Sequence, residues 1–419
     1  MDQLKLLNYH KMIANFANNL IGAFVSLIIY QATNSLAYAM LYLVMVNLLR
    51  FIFGVSLRKL HYKYPQLFLL LRIIPIALYN VFIFVLDVNL VIGVIGVCIF
   101  VALDASFHYL PKELIFNYSS LSQSQKSDKS IGVTRLFEQA GIIIAMIVGG
   151  LLLDINKTLV LVLALSIYTI SVIPLVIYYV KCKNEKTFNK DATSNAIDTL
   201  SKKEKTKTKS EKITKKIILT YGFIYFTFAF MDLLQTTFSL HVFIIKGEFA
   251  LSGIINAIFN TFYAIGFYVA SAINEKKDTT KLVSLLCIVM AIVVVILPFV
   301  NVDTMFIVVC IIYGIIGFSY PFLSLFVLDR MLIKSRIMAC SNDALFTRDI
   351  SCHIAYVVGY SFGFIGLLAI FIVIGISMAT SAVAIPCGEE STRKQLVDFL
   401  QNNEVTHHSR RREKTKESK

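Results

Sequence analysis

Asp232 is the one ionisable side chain in the stretch FAFMDLLQTTFSL, near the middle of a long apolar run. A carboxyl group so placed suits two kinds of chemistry, carrying a proton through an apolar layer or holding the cationic group of a substrate. A third reading is that a neighbouring amide satisfies it. Further charges lie toward one end of other apolar runs. Arg50 and Arg72 stand singly, Asp104 and His108 are four residues apart, Arg135 and Glu138 three apart, and Arg348 and Asp349 precede His353. Such spacings place each pair on one helical face, where its members can pair locally or reach a neighbouring helix. Catalysis is not indicated. No polar stretch holds a glycine-rich phosphate loop with its lysine, a metal cluster or a nucleophile constellation, so neither an enzyme, an ATP-driven pump nor a cofactor is expected. The seven cysteines (Cys98, Cys182, Cys287, Cys310, Cys340, Cys352 and Cys387) include no CxxC pair, and neither a disulfide framework nor a zinc site is expected.

The elements that must position these residues are apolar blocks. The 419-residue chain is 57% hydrophobic, and its apolar residues fall in twelve runs at 12–32, 36–56, 66–86, 89–110, 131–153, 158–180, 217–242, 250–273, 281–300, 304–327, 345–364 and 366–386. Each is long enough to cross about 30 Å of hydrocarbon as a helix, and none alternates as a barrel strand would. An all-α membrane protein of twelve transmembrane helices is predicted. The first run lacks a small-residue cleavage site followed by a mature domain, so it reads as a retained helix rather than a signal peptide. The formal charge of +14 does not point to nucleic acid, because the basic residues gather on one predicted side. That side holds Arg58, Lys59, Lys63, Lys112, Lys126, Lys129, Lys276, Lys277, Lys281, Arg330, Lys334, Arg336 and the tail, against Lys157 and Lys246 on the other. This distribution places both termini in the cytoplasm of a multi-pass protein, expected in the cell membrane.

Residues 181–216 carry 12 lysines against 5 acidic residues and few apolar side chains, so they are predicted to be a mobile cytoplasmic linker. They divide the chain into an N-terminal six-helix bundle (1–180), the linker, a C-terminal six-helix bundle (217–387) and a basic tail (388–419). The halves repeat: Gly54 recurs at Gly266, an offset of 212, Pro111 at Pro321, an offset of 210, and Thr134-Arg135 at Thr347-Arg348, an offset of 213. A consistent offset implies two pseudo-symmetric bundles related by an axis along the membrane normal. In the tail, 391–402 reads as a short amphipathic helix on the inner leaflet and the remainder as disordered.

Two motifs suggest a family. The turn FGVSLRKLHYKYP has Gly54 and Lys59 where the pattern Gly-x-x-x-Asp-Arg/Lys-x-Gly-Arg/Lys-Arg/Lys requires them, with Arg58 in place of the acid and His61 in place of the second glycine. The fifth block carries Gly141, Ala145, Met146, Gly149 and Gly150 on the pattern Gly-x-x-x-Gly-Pro-x-x-Gly-Gly. With twelve helices in two halves and a basic central loop, the chain resembles the major facilitator superfamily of secondary transporters, and the second motif is associated there with antiporters and exporters. The resemblance implies that blocks 1, 4, 7 and 10 line a cavity, which puts Asn18, Asn19, Asp232 and Gln235 near a substrate. The mixed charges Arg50, Arg58, Asp104, His108, Arg135, Glu138, Arg348 and Asp349 then suggest a cytoplasmic gate. Its expected pairs are Arg348 with Asp104 or Glu138, and Arg58 or Arg50 with Asp349; the alternative is that these residues form static pairs. Asn256 and Asn260 read as interhelical glue, and Tyr221, Tyr225, Tyr263, Tyr313 and Tyr320 as either aromatic walls or packing. The expected function is proton-coupled export of an amphipathic small organic compound by a monomer among membrane lipids. An uptake carrier for a sugar or amino acid, a lipid or glycolipid flippase, and a sensor that has lost transport remain as alternatives.

Overall fold

The computed structural model describes residues 3–122, 127–184, 208–274, 280–302, 304–337 and 341–417. Among them there is no strand, and the helices form twelve membrane-scale elements. Element α1 comprises Gln3–Asn19 and Val25–Thr33, either side of a 3-10 turn at Gly22–Phe24; α2 is Leu36–Lys63; α3 comprises Pro65–Leu71 and Ile73–Val85; α4 is Leu90–Ser122; α5 is Ser127–Ile155; α6 is Lys157–Asn184. In the second half, α7 comprises Thr208–Ala229 and Leu233–Lys246 around a 3-10 turn at Phe230–Asp232; α8 is Phe249–Asn274; α9 is Thr280–Ile296; α10 is Phe306–Ile337; α11 is Ser341–Ser361; α12 is Leu367–Glu417. Eleven of these contain a stretch apolar and long enough to span a membrane. The exception, α11, falls short because Arg348, Asp349 and His353 lie within it.

Helix ends follow local chemistry. Asn34 and Gly247 adopt left-handed backbone conformations (φ 48° and 72°) and close α1 and α7, so that the next helix can turn back at once. Packing repeats with a step of six elements: α1 meets α5 and α6 as α7 meets α11 and α12, and α2 meets α4 as α8 meets α10. The 3-10 breaks in α1 and α7 fall at nearly the same offset as the sequence landmarks. Two pairs exchanged by the same operation, α2 with α11 and α5 with α8, join the bundles.

The α5–α8 seam is tight because glycines let backbones approach. A Cβ on Gly150 would lie 2.7 Å from the Phe249 carbonyl oxygen, and one on Gly253 would lie 2.2 Å from that of Met146. On the face opposite the chain ends, Asp154 of α5 accepts the Phe249 and Ala250 N–H groups at 2.9 and 2.8 Å, capping α8 from the other half. The tail departs from expectation. Neither proline nor glycine follows Gly388, and α12 runs as one helix to Glu417 instead of ending in a disordered stretch. Its root packs on α7 through the Tyr221 hydroxyl, which donates to Glu389 Oε1 at 3.0 Å. The linker 185–207 lies outside the described residues.

Candidate functional site: an interior carboxylate and two charge clusters

The break in α7 positions Asp232. The 3-10 turn at Phe230–Asp232 interrupts the helix near its middle and brings the carboxylate against α10 and α11. The hydroxyls of Tyr320 (α10) and Tyr356 (α11) each donate to one of its oxygens. Asp232 is nevertheless exposed. With partners from two interior helices, the space it faces lies inside the molecule rather than toward lipid. Arg348, one helical turn below Cys352 on α11, is close enough for its charge to bear on the carboxylate.

Aromatic rings wall the same region. Phe228 stacks on Tyr320 with centroids 5.2 Å apart and planes 7° from parallel, and Tyr263 lies 5.8 Å from Tyr320. Farther along, Tyr313 packs between Phe238 and Phe259 at 4.8 and 5.0 Å. Of the five tyrosines singled out in the sequence, Tyr263 and Tyr320 therefore border the carboxylate, Tyr313 belongs to the packed core, and Tyr221 holds the root of the tail. Tyr225 is buried. Tyr356 escaped the sequence reading. A signal was available, because Asp349, His353, Tyr356 and Tyr360 recur at four, three and four residues along one stripe of α11.

The amides expected beside Asp232 do not bond to it. Asn19 Nδ2 donates to its own helix at Asn15 O, 2.8 Å, and Asn18 Oδ1 is buried without a hydrogen-bond partner among the described residues. Gln235 points its Nε2 toward Met146 Sδ of α5 at 3.9 Å. Asn260 also reaches Met146 Sδ, at 3.3 Å, and donates to Asn256 O at 2.7 Å, so it joins α8 to α5.

The charged ring resolves into two clusters. The first lies within the N-terminal half. Arg72, at the break between the two segments of α3, meets Asp104 through Nε at 2.5 Å and Nη2 at 3.2 Å, lies 2.9 Å from His108 Nδ1, and sits over the Tyr168 ring at 5.5 Å. Lys11 of α1 meets Glu138 of α5 at 3.3 Å, both almost wholly buried. His10 Nδ1 lies 2.7 Å from Ser171 O. Asp104 and Glu138 therefore meet cations of their own half rather than Arg348. The reason is angular: these faces of α4 and α5 turn toward α3 and α1. Lys11, at the edge of the first apolar run, was passed over in the sequence for that position.

The second cluster joins the halves on the face carrying the chain ends. Arg58 of α2 bonds Asp343 in the first turn of α11 at 2.6 Å and lies over the Phe346 ring at 4.1 Å. Gly54 faces Asp349, whose Oδ2 would be 3.8 Å from an added Cβ, and Asp349 Oδ1 lies 3.6 Å from His353. The carboxylate that Arg58 meets is thus Asp343, one turn and a half before the expected Asp349. Arg50 donates to Asn47 Oδ1 at 3.4 Å. The side chain of Arg135 lies outside the described residues.

Two six-helix halves, joined at α2–α11 and α5–α8 and carrying a carboxylate that faces inward, define an integral multi-pass membrane transporter. The chain belongs to the Major Facilitator Superfamily, whose family model matches residues 118–339, more than half of its length. No curated protein matches it by sequence. Among solved structures it is similar to the nucleoside transporter NupG (14% identity, 93% of this chain and 99% of that one, TM-score 0.63). It is also similar to a POT family transporter in complex with a thioalcohol-conjugated peptide (11%, 93% and 96%, 0.64) and to a bacterial homologue of the iron transporter ferroportin in an outward-facing state (11%, 93% and 100%, 0.63). At these identities the likeness is one of fold.

Proposed function

We propose that the protein is a proton-coupled secondary transporter that exports amphipathic organic compounds, with Asp232 holding in turn a proton and the cationic group of the substrate. The observation that carries this reading is the interior exposure of Asp232 between Tyr320 and Tyr356. A single carboxylate that accepts either a proton or a cation, never both, couples the two fluxes by competition. The rings of Phe228, Tyr263 and Tyr320 supply the apolar contact an amphipathic body needs. Export is supported by the small-residue stripe of α5, which seats that helix against α8. The face bearing the chain ends is read as cytoplasmic from the distribution of lysine and arginine.

The test uses inverted membrane vesicles with an inside-acid gradient and a pH-sensitive dye. Cationic amphiphiles should restore fluorescence with the wild-type chain and fail with Asp232→Asn. Equal responses from the two would remove Asp232 from the coupling step.

A further inference from the structure

We infer that one stripe of α11, made of Tyr356, His353 and Asp349, conducts the proton between Asp232 and the face carrying the chain ends, with His353 as the central relay. This rests on the reading of Asp232 just given and adds the route by which its proton leaves. The three side chains stand three and four residues apart on one face of the helix. Seven helical residues span about 10 Å. At one end of the stripe the Tyr356 hydroxyl donates to Asp232 Oδ2. The His353 ring meets the Tyr356 ring nearly edge-on, with centroids 6.0 Å apart and planes at 72°. At the other end His353 Nε2 lies 3.6 Å from Asp349 Oδ1, and Asp349 faces Gly54 of α2 at the seam between the halves.

His353 is buried, and its Nδ1 has no hydrogen-bond partner among the described residues. An imidazole that takes a proton on one nitrogen and gives up the proton on the other passes charge along without moving. The charges that bear on it are Asp349 of its own helix and Arg50 of α2. Arg348, Cys352, Asp232 of α7 and Tyr320 of α10 stand around the Tyr356 end. Asp349 attracts a passing imidazolium while Arg50 repels a lasting one. In the transfer, the proton on Asp232 moves to the Tyr356 oxygen as that hydroxyl releases its own proton to His353 Nδ1, directly or over one water. His353 then releases the proton on Nε2 to Asp349, which gives it to water. Tyr356 ends as the donor to Asp232, the arrangement observed. His353 ends as its other tautomer, and a flip of the ring resets it. Because the route follows one helix, the proton leaves Asp232 without passing through the space that the substrate enters.

The experiment uses the full chain in proteoliposomes, with tetraphenylphosphonium as the probe and two readings. One is transport driven by a proton gradient; the other is exchange of labelled for unlabelled probe at equal pH. Exchange needs the site and the rocking halves but no net movement of protons. His353→Phe should slow driven transport about tenfold or more while exchange continues. Asp349→Asn should act likewise, and Asp349→Glu, which keeps an acid at the exit, should restore the driven rate. Loss of both readings in His353→Phe and Asp349→Asn, from protein that melts cooperatively, would assign the stripe to the packing of α11. A driven rate equal to that of the wild type in both variants would take the proton elsewhere. Either result overturns the relay and leaves Asp232 in place, provided that Asp232→Asn alone abolishes driven transport. No driven transport by the wild-type chain, with or without exchange, overturns the coupling role of Asp232 and the relay with it.

Discussion

At the scale of single residues, the buried pair Lys11–Glu138 makes the sharpest stability statement. Both side chains have left water and each depends on the other. Glu138→Ala should therefore lower stability by about 3–5 kcal/mol, because it leaves a buried ammonium short of its carboxylate, whereas Lys11→Met with Glu138→Met should cost far less. Thermal unfolding in detergent distinguishes the two, and equal losses would mean that the pair contributes nothing as a pair. Ionisable residues such as Asp232, Arg50 and Asp104 were legible in the sequence because a charge among apolar neighbours stands out. Partnership was not. Tyr356 is one tyrosine among 20, and only the stripe it shares with His353 and Tyr360 distinguishes it. Glu138 reads equally well as facing its own half or the other, since a helix repeats its faces every turn without saying what lies opposite.

At the scale of helices, the glycine contacts between α5 and α8 set how near the halves come. Gly253→Leu puts side-chain atoms where the Met146 carbonyl stands. It should separate the two helices, cost roughly 1–3 kcal/mol and abolish transport while leaving a folded, membrane-inserted chain; full activity in a flux assay would show that the seam is not needed closed. The twelve elements and their repeat were legible because hydrophobic length and spaced landmarks survive in sequence even where composition differs. Block 11 was found although α11 is the least apolar, and the repeat offset is what paired its Thr347-Arg348 with Thr134-Arg135. The tail was misjudged from composition: charge-rich residues without proline or glycine favour helix when a helix already runs into them, and α12 supplies the nucleus.

At the scale of the whole molecule, the contacts that join the halves occupy both faces. Arg58–Asp343 links them on one and the Asp154 cap on α8 links them on the other. If the halves rock, opening either side would require breaking the contacts on that side. Arg58→Asp should impair transport and Asp343→Arg should rescue it in the double variant; failure of rescue with both proteins folded would assign the pair to packing. Disulfide formation between Arg58→Cys and Asp343→Cys should arrest transport reversibly with reductant. The sequence named Arg58 as a positive member on this face, yet not that its partner would be Asp343, in the first turn of α11, rather than Asp349.

The cap on the opposite face has a different character, because its receiving side is made of backbone. The Phe249 and Ala250 amides would offer the same two hydrogens whatever side chains stood there, proline excepted. A saturation scan of the chain should accordingly report position 154 as intolerant and see little of this contact at 249 and 250. The receiving half of that cap is invisible to side-chain mutagenesis.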